Sequence, residues 1–546
     1  MRTAELFLRC LENEGVDYIF GVPGEEVLSL LDALLDNERI RFISTRHEQG
    51  AALMADVYGR LTGRPGVCLS TLGPGATNLM TGVADAYLDH APLVAITGQV
   101  PFERIHKESH QYVDTIDLFH AITKWQARVA YPEVLPEVVR KAFKVAIAEK
   151  PGPTHIEISE EVAALPAPPA EPLRVTPVAY PDPSPAAINA ARDLICAARR
   201  PMILAGNGVI RRRAAQDLRA FAAQAGIAAV NTFMGKGVMG YKNPLAQLTV
   251  GLQNRDYDLS GLADADVVIA VGYDLVEFAP RLWNPWRDKT IIHIDTLPAE
   301  VDENYLPAVE IVSEIGAALR DLKDVCEPRS APEGQTSLKS LVLTELQAHA
   351  NDDSFPMKPQ RLLSDLRRVL ADDDLLISDV GAHKLWVARL FPAETPNSVI
   401  VSNGFATMGI ALPGAIAAKL AEPHRRVVAL TGDGGLLMNV QELETAKRLG
   451  TAFVLLVWVD DGYGVIRWKQ ETRFGRTSGV DFGNPDFVQL AASFGLPGFQ
   501  VERPQDFAPT LERALALDMP SLIAVPVDYR ENHRLTAALG EVQVTI

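Results

Sequence analysis

The sequence has few cysteines, no long apolar run and no excess of positive charge. Its four cysteines lie far apart without metal-ligand or redox spacing, so we expect reduced, buried thiols. The net charge of −17 argues against nucleic acid or an anionic membrane surface as the main partner. Because no apolar run reaches membrane-spanning length and the N-terminal helix contains acids, unlike a signal peptide, we expect a cytoplasmic protein.

Length and patterning predict several domains. A chain of 546 residues is too long for one hydrophobic core, and about three domains are expected. Alternating helix and strand patterns predict α/β domains with doubly wound, mostly parallel sheets. The predicted division is an N-terminal domain over 1–163, a linker over 164–185, a central domain over 186–325, a linker over 326–355 and a C-terminal domain over 356–546.

The stretch at 427–466 reads as strand, glycine loop, helix, strand and acidic loop. Asp433 lies in the first loop and Asp460 in the second. Because both loops leave the carboxyl ends of parallel strands, the two aspartates should face one cavity beside a helix N-terminus, where a phosphate is favoured. Two carboxylates at a phosphate site need a hard divalent cation, and Mg²⁺ prefers oxygen ligands. The alternative is an ordinary βαβ unit with solvated turn aspartates.

This stretch resembles the fingerprint of thiamine diphosphate enzymes, in which GDG is followed further along by a loop containing Asn or Asp. The phrases QELETAKRLG, WVDDGYG and SGVDFGNPDF resemble acetolactate synthases, particularly their catabolic, flavin-free branch. Val459 and Asp460 stand where the family usually has two asparagines. An aspartate still offers an oxygen to a metal, so the metal site is expected to persist.

The resemblance implies thiamine diphosphate and Mg²⁺ as cofactors. The metal ligands would be Asp433, Asp460 and the carbonyl group of Gly462. Met408 corresponds to the apolar side chain that props the two cofactor rings into a V, and the alternative is an ordinary core methionine. The expected cofactor contacts are Gly24, Glu48, Asn78, Gly381, Ala382, Met408, Gly434, Gly435, Gly462 and Tyr463.

Two residues of the N-terminal domain are predicted to be catalytic. The resemblance implies that Glu48 contacts the pyrimidine nitrogen of the cofactor and favours the imino form that takes the C2 proton. A desolvated Glu48 would exchange a proton near neutral pH, and the alternative is a solvated residue in the first turn of a helix. Gln111 matches a family glutamine on the substrate side, and the alternative is a surface polar residue.

The expected reaction is the decarboxylating condensation of two pyruvates to 2-acetolactate and carbon dioxide. Arg467, Trp468, Lys469 and Gln470 are candidates to bind the pyruvate carboxylate. Lys469 departs from both branches of the family, so the second substrate stays open. One alternative is another thiamine diphosphate decarboxylase or carboligase that acts on 2-oxoacids, and another is a non-catalytic homologue that binds a partner.

The central domain lacks the flavin-binding residues of flavin-dependent acetolactate synthases. In those enzymes the strand corresponding to 267–271 continues into a contact of the type Arg-Phe-Asp-Asp-Arg, whereas here it continues into Gly272, Tyr273 and Asp274. A glycine turn at 206–208 begins like a dinucleotide motif, but Arg211 replaces its third glycine, which favours a generic turn. We therefore expect no FAD.

The expected partners are a small 2-oxoacid and other copies of the chain, with neither nucleic acid nor membrane. In the family, the glutamate domain of one subunit meets the diphosphate domain of another. The resemblance therefore implies a homodimer or homotetramer with the active site at the subunit interface.

Overall fold

The computed structural model describes residues 1–253, 255–328 and 337–539. It contains three six-stranded sheets, and every strand pair in them is parallel. This confirms the prediction of three α/β units with parallel sheets.

The strands of the first sheet are β1 (Tyr18–Gly21), β2 (Arg41–Ser44), β3 (Gly66–Ser70), β4 (Leu93–Gln99), β5 (Trp125–Val129) and β6 (Pro153–Ser159). The second sheet has β7 (Pro201–Ala205), β8 (Ala229–Asn231), β9 (Ala246–Thr249), β10 (Val267–Val271), β11 (Thr290–Asp295) and β12 (Pro307–Val312). The third has β13 (Leu375–Ser378), β14 (Val399–Val401), β15 (Val427–Gly432), β16 (Val454–Val459), β17 (Gly498–Gln500) and β18 (Ser521–Pro526).

Helices cover both faces of these sheets. The helices of the N-terminal part are α1 (Thr3–Asn13), α2 (Leu28–Leu35), α3 (Glu48–Thr62), α4 (Pro74–Leu88), α5 (Thr115–His120), α6 (Leu135–Ile147) and α7 (Glu160–Ala164). Those of the central part are α8 (Pro185–Ala197), α9 (Asn207–Arg211), α10 (Ala215–Ala225), α11 (Asp256–Ser260) and α12 (Ile315–Val325). The remainder are α13 (Leu338–Ala348), α14 (Pro359–Val369), α15 (Ala382–Leu390), α16 (Ala411–Ala421), α17 (Asp433–Asn439), α18 (Glu442–Leu449), α19 (Gly464–Phe474), α20 (Phe487–Ser493), α21 (Pro504–Leu515) and α22 (Asn532–Leu539).

The first and third sheets have the same topology. Their orders are β2-β1-β3-β4-β6-β5 and β14-β13-β15-β16-β18-β17, which are identical when each sheet is numbered from its own first strand. The second sheet, β12-β11-β10-β7-β8-β9, has the strand order of dinucleotide-binding domains. Ligands of such folds bind where the strand order reverses, so the loops after β1 and β3 and those after β13 and β15 become candidate sites.

The N-terminal and C-terminal units share one hydrophobic core. Helix α3 lies between α4 and α16, and its alanines and leucines are buried. The crossing of α3 with α4 needs glycine at position 82, because a Cβ there would lie 2.6 Å from the Cβ of Ala52. Each fully buried Leu or Ile contributes about 1.5–3 kcal/mol, so this shared core ties the two units together within one chain.

The two predicted linkers differ in structure. Among the described residues between α7 and α8, none forms a regular helix or strand. In the range 326–355, residues 329–336 lie outside the described part of the chain, and α13 follows them. Leu338, Val342 and Leu346 of that helix are buried in the core that the central and C-terminal units share, so this range is not an extended connection throughout.

Over the described ranges, no helix combines the length and the apolar character needed to cross a membrane.

Candidate active site

A cavity of about 250 Å³ lies at the carboxyl edge of the third sheet. The loops that follow β13, β15 and β16 form much of its wall, and these strands are neighbours in the sheet. The strand order reverses between β13 and β15, the position where ligands of such sheets bind. The wall includes many of the residues predicted to bind the cofactor or the metal, namely Gly381, Ala382, Met408, Asp433, Gly434, Gly435, Asp460, Gly462 and Tyr463.

Asp433 is the central polar group of this cavity. It begins α17 and is only 1% exposed. Its Oδ1 accepts the N–H of Gly434 at 2.9 Å. Its Oδ2 accepts the N–H groups of Asp460 at 3.2 Å and Asp461 at 2.8 Å, and the side-chain amide of Asn484 at 2.8 Å. The carboxylate therefore fixes the acidic loop after β16 against the glycine loop after β15.

The two aspartates carry poorly solvated negative charge. Burial raises the pKa of Asp433. Burial, and then the charge of Asp433, raise the pKa of Asp460 to about 7, even though Arg467 lies 3.1 Å from its Oδ2. Such shifts mark a site where a cation would be favourable, and carboxylate oxygens are ligands that Mg²⁺ prefers.

Protein side chains alone would not complete a metal site here. Within the described ranges, no group of three or more His, Cys, Asp or Glu side chains could hold a metal ion. Asp433 and Asp460 would thus need further oxygen atoms, such as the backbone carbonyl of Gly462 and the phosphates of a ligand. This donor set fits a metal that is bound together with a diphosphate.

Glycines bring the backbone close to the cavity. A Cβ on Gly381 would lie 2.6 Å from Cε1 of His383, and one on Gly434 would lie 3.1 Å from the ring of Tyr463. The absence of side chains at Gly381, directly before α15, and at Gly434, in the first turn of α17, lets a ligand approach the backbone at the start of both helices. The cradle therefore fits a diphosphate.

His383 is a site residue that the sequence reasoning missed. It lies in the first turn of α15, lines the cavity and is 3% exposed. Burial lowers its pKa to about 3, so the ring is neutral, and its buried Nε2 has no hydrogen-bond partner. Buried polar atoms are normally paired, which indicates a ligand atom at this position. The available signal was its place two residues after Gly381 in a loop at the end of a strand.

The acidic loop is clamped by a later segment of the chain. The N–H of Tyr463 donates to the carbonyl of Val480 at 2.9 Å, and its ring packs edge-on against Phe482 with centroids 5.0 Å apart. Gly462 forms an isolated bridge with Asp481. These contacts hold the backbone of Gly462 in a defined position on the cavity wall.

Met408 lies on the cavity wall rather than deep in the core. Its side chain is half-buried, and the loop that carries it follows β14. Ala406, two residues earlier, has φ of +58°, which a residue other than glycine rarely adopts. The loop therefore presents Met408 to the cavity in a locally strained conformation.

Glu48 and Asn78 form a pair at the carboxyl edge of the first sheet. Glu48 is the first residue of α3 and is 9% exposed, in contrast to the solvated alternative. The side-chain amide of Asn78, on α4, donates to its Oε2 at 3.0 Å. Because Asn78 engages one oxygen, Oε1 is left to exchange a proton with a ligand.

Gly24 and Gln111 lie at the same sheet edge. A Cβ on Gly24 would lie 2.4 Å from the Cβ of Thr71, so the loops after β1 and β3 are in close contact. Gln111 is exposed and has φ of +59°, and its backbone packs against Gly73. The residues predicted to form the site in the N-terminal unit thus lie at one sheet edge. None of them lines the cavity of the third sheet within the same chain.

Arg467 already has partners. Its guanidinium lies 3.1 Å from the carboxylate of Asp460 and 2.8 Å from that of Asp481. Burial lowers its pKa, but the hydrogen bond with Asp481 and the charge of Asp460 outweigh burial, so the pKa is raised. Its role in this structure is to neutralise the acidic loop. It is therefore a poor candidate to bind a substrate carboxylate.

Lys469 is the other cation among the substrate candidates, and it does not line the cavity. Gln470 exchanges hydrogen bonds with Ser478, and Trp468 is buried. Among the described residues no ion pair of Lys469 is found, and burial lowers its pKa. A half-buried amine of this kind can attract a carboxylate.

The chain matches three sequence models of thiamine pyrophosphate enzymes. Residues 1–118 match the N-terminal TPP binding domain, 188–322 the central domain and 379–525 the C-terminal TPP binding domain. The two outer sheets of identical topology and the aspartate cavity agree with this class of enzyme. This chain belongs to the thiamine pyrophosphate (thiamine diphosphate) enzyme family.

Within that family the chain is acetolactate synthase-like. It is 36% identical to an acetolactate synthase from Bacillus subtilis (strain 168), over 98% of this chain and 95% of the relative. It is 35% identical to a catabolic acetolactate synthase from Raoultella terrigena, over 99% and 98%. It is 34% identical to the acetolactate synthase isozyme 2 large subunit of Escherichia coli (strain K12), over 97% and 96%. These values confirm the family but do not separate a catabolic from a biosynthetic enzyme.

Proposed function

We propose that this protein is an acetolactate synthase that uses thiamine diphosphate and Mg²⁺ to condense two pyruvates into 2-acetolactate and carbon dioxide. The observation that carries the proposal is the pairing of two half-sites in one chain. One is the cavity with Asp433 and Asp460, and the other is the hydrogen-bonded pair of Glu48, which is buried, and Asn78, which is half-buried. Both lie where the strand order reverses in sheets of identical topology.

Each half-site has residues suited to one end of the cofactor. Asp433, Asp460 and the carbonyl group of Gly462 would hold Mg²⁺, and the N–H groups at the start of α17 together with His383 would hold the diphosphate. When bound, thiamine diphosphate supplies a carbanion-stabilising ring. Glu48 would hold or release the proton at Oε1 while Asn78 orients it through Oε2.

The cofactor would bind between two subunits. Several large apolar side chains of the C-terminal unit are exposed in a single chain, between 41% and 63%, and one of them, Ile466, lines the cavity. They are Phe405, Leu437, Met438, Ile466 and Phe474. Exposed apolar patches of this kind mark interaction surfaces. A second copy is the occupant that we propose, because it would bring its Glu48 domain over the cavity. The assembly would be a homodimer or homotetramer.

We propose that no flavin binds the central domain. In its dinucleotide-like turn the N–H groups of Gly206 and Gly208 donate to the carbonyls of Val271 and Gly272, each at 2.9 Å. The intervening N–H of Asn207 donates to Oε1 of Glu277 at 3.3 Å.

The side chain of Glu277 accepts backbone N–H groups from this turn and from the loop after β8. Its carboxylate is buried, and its Oε2 accepts the N–H of Met234 at 3.0 Å. The donors that would bind a dinucleotide phosphate are therefore engaged by the chain's own atoms, so the residues present do not fit FAD. A flavin absorption spectrum in the purified protein would contradict this reading.

We further propose that the protein belongs to the catabolic branch of the acetolactate synthases. Support comes from the sequence phrases shared with that branch and from the occupied turn of the central domain. The main competing function is another thiamine-dependent decarboxylase or carboligase, because Lys469 departs from the residues that both branches of the acetolactate synthases have at this position.

Product analysis tests the proposal. Purified protein is incubated with thiamine diphosphate, Mg²⁺ and pyruvate, with and without 2-oxobutyrate. Acetolactate, detected as acetoin after acid treatment, is the expected product. Acetaldehyde as the main product would replace the proposal with a decarboxylase. Failure of the cofactor to bind in calorimetry would indicate a non-catalytic homologue.

A further inference from the structure

The loop that carries Met408 begins at Ser402, which is held by the N-terminal unit of the same chain. Ser402 is fully buried, and its Oγ donates to Oδ1 of Asp85 on α4 at 2.5 Å. The same Oγ accepts the N–H of Thr407 at 2.8 Å. One hydroxyl group therefore links a carboxylate of the N-terminal unit to the residue that precedes Met408.

Asp89, at the end of α4, holds the next two residues of the loop. Its carboxylate accepts the N–H of Asn403 at 2.9 Å and the N–H of Gly404 at 2.5 Å. A Cβ on Gly404 would lie 2.7 Å from the carbonyl oxygen of Leu88, so the loop packs directly on the helix backbone. Arg60 approaches Asp89 at 3.3 Å and limits its motion.

The far end of the loop is held within its own domain. The N–H of Gly409 donates to Oδ1 of Asp379 at 2.7 Å, and Nδ2 of Asn439 donates to the carbonyl of Gly409 at 2.9 Å. Between these anchors Ala406 keeps a positive φ, which costs on the order of 1 kcal/mol or more for a residue other than glycine. Such strain persists only when the flanking contacts over-determine the loop.

We infer that Asp85 and Asp89 are positioning residues that set Met408 against the cofactor cavity through Ser402 and the backbone of 403–404. The inference rests on the proposed function, because it assigns these two carboxylates a part in shaping that site. Neither carboxylate lines the cavity. Their action passes through the loop, whose residues Ala406 and Met408 do line it.

The same helix serves both half-sites of the chain. Asn78 near the start of α4 orients Glu48, whereas Asp85 and Asp89 at its other end hold the Met408 loop. If the active sites lie between subunits, α4 contributes to two different sites of a dimer. A displacement of α4 would then change the geometry of both sites.

The surroundings of Asp85 favour its role as an acceptor. Asp56 on α3 is fully buried beside it, and burial followed by the charge of Asp85 raises the pKa of Asp56 well above its usual range. Asp85 accepts the hydrogen bond from Ser402 beside this group. Arg60 on α3 and Lys384 on α15 are the cations near this group, and Asp89 is its other carboxylate.

The test is the variant Ser402→Ala, with Ser398→Ala as the matched control. Ser398 is also a buried serine of the third sheet's unit, and its Oγ makes one hydrogen bond, to the carbonyl of Thr395 at 2.7 Å. The measurements are kcat and KM for pyruvate, the dissociation constant of thiamine diphosphate at saturating Mg²⁺, the near-ultraviolet circular dichroism of the bound cofactor, and thermal unfolding. We expect Ser402→Ala to lower kcat by about tenfold or more and to alter the dichroism of the bound cofactor, because small misplacements in a site cost rate. Thermal unfolding should change no more than in the control.

A second pair of variants separates the hydrogen bond from the packing. Asp85→Asn keeps an oxygen that can accept from Ser402 and should retain most of kcat, whereas Asp85→Leu removes the acceptor and should behave like Ser402→Ala. Values of kcat and cofactor dichroism in Ser402→Ala and Asp85→Leu within about twofold of the unaltered protein would overturn the inference. If the unaltered protein fails to bind thiamine diphosphate, the proposed function itself is wrong, so the two failures are distinguishable.

Discussion

The side-chain amide of Asn78 donates a hydrogen bond of 3.0 Å to Oε2 of Glu48, and this carboxyl group is 9% exposed at the start of α3. An acid that is both desolvated and oriented by a neighbour is well placed for proton transfer to a ligand. The pair therefore leads to a direct test of the proposed chemistry.

Replacement of Glu48 by glutamine should abolish turnover. Glutamine has nearly the same shape and can still accept from Asn78, but it cannot exchange a proton. We expect kcat to fall by about 10²–10⁴-fold while the unfolding temperature changes little. The measurement is steady-state acetolactate formation together with thermal unfolding.

Glu345→Gln serves as the control for that variant. Glu345 lies on α13, away from both half-sites, and it too accepts from a side-chain amide, that of Gln360 at 3.4 Å. Its activity should match that of the unaltered protein. Activity of Glu48→Gln within about tenfold of the parent would remove Glu48 from the mechanism.

Asp433→Asn should weaken the binding of cofactor and metal together. In the parent protein both carboxylate oxygens accept N–H groups, so the NH₂ of an asparagine would face a donor. The substitution also removes one negative charge that would attract Mg²⁺. We expect the apparent affinity for Mg²⁺ to fall by about 10–100-fold, as measured by calorimetric titration in the presence of thiamine diphosphate. Asp518→Asn, an exposed aspartate of the same unit, should bind normally. Unchanged Mg²⁺ affinity in Asp433→Asn would show that this carboxylate is not a metal ligand.

The stability of the central unit should fall as pH rises through about 7, because of Glu277. Burial raises the pKa of Glu277 to about 7 from its ordinary value of 4.5, so between these pH values the folded state binds a proton that the unfolded state has released. The stabilisation is fully present below pH 4.5 and is lost through pH 7, at a cost on the order of 3 kcal/mol. Thermal unfolding between pH 5 and 8 should show this fall in the unaltered protein and a flatter profile in Glu277→Gln. Glu303→Gln, whose side chain is exposed, should behave like the parent. Parallel pH profiles for all three proteins would exclude the titration of Glu277.

Much of the fold and part of the site could be predicted from local sequence patterns. Alternating strand and helix signals with glycine loops sufficed to place Asp433 and Asp460 in one cavity, since neighbouring parallel strands end at a common edge. The approximate place of Gly381 and Ala382 followed from the same rule.

Contacts between distant parts of the chain could not be predicted in this way. Ser402 and Asp85 are 317 residues apart, and neither belongs to a motif that links them. Asn484 binds Asp433 from 51 residues away in a segment without periodicity. The helix α13 was also missed, because its apolar residues pack on units that precede and follow it rather than on its own neighbours. Tertiary packing decides such features, and single-sequence patterns do not encode it.

The subunit origin of each half-site can be tested by complementation. Chains with Glu48→Gln keep an intact Asp433 cavity, and chains with Asp433→Asn keep an intact Glu48. At a Mg²⁺ concentration that saturates the parent protein but not Asp433→Asn, each variant alone is expected to have little activity. If each active site takes Glu48 from one subunit and Asp433 from the other, a mixed dimer contains one site with both residues intact. Random reassortment of equal amounts would then restore about a quarter of the parent activity, because half of the dimers are mixed and half of their sites are complete. Mixing Glu48→Gln with Asn78→Ala, which alter the same half-site, should restore none. No recovery in the first mixture, despite subunit exchange shown by mass spectrometry, would mean that each chain completes its own site, and the proposed interface would be wrong.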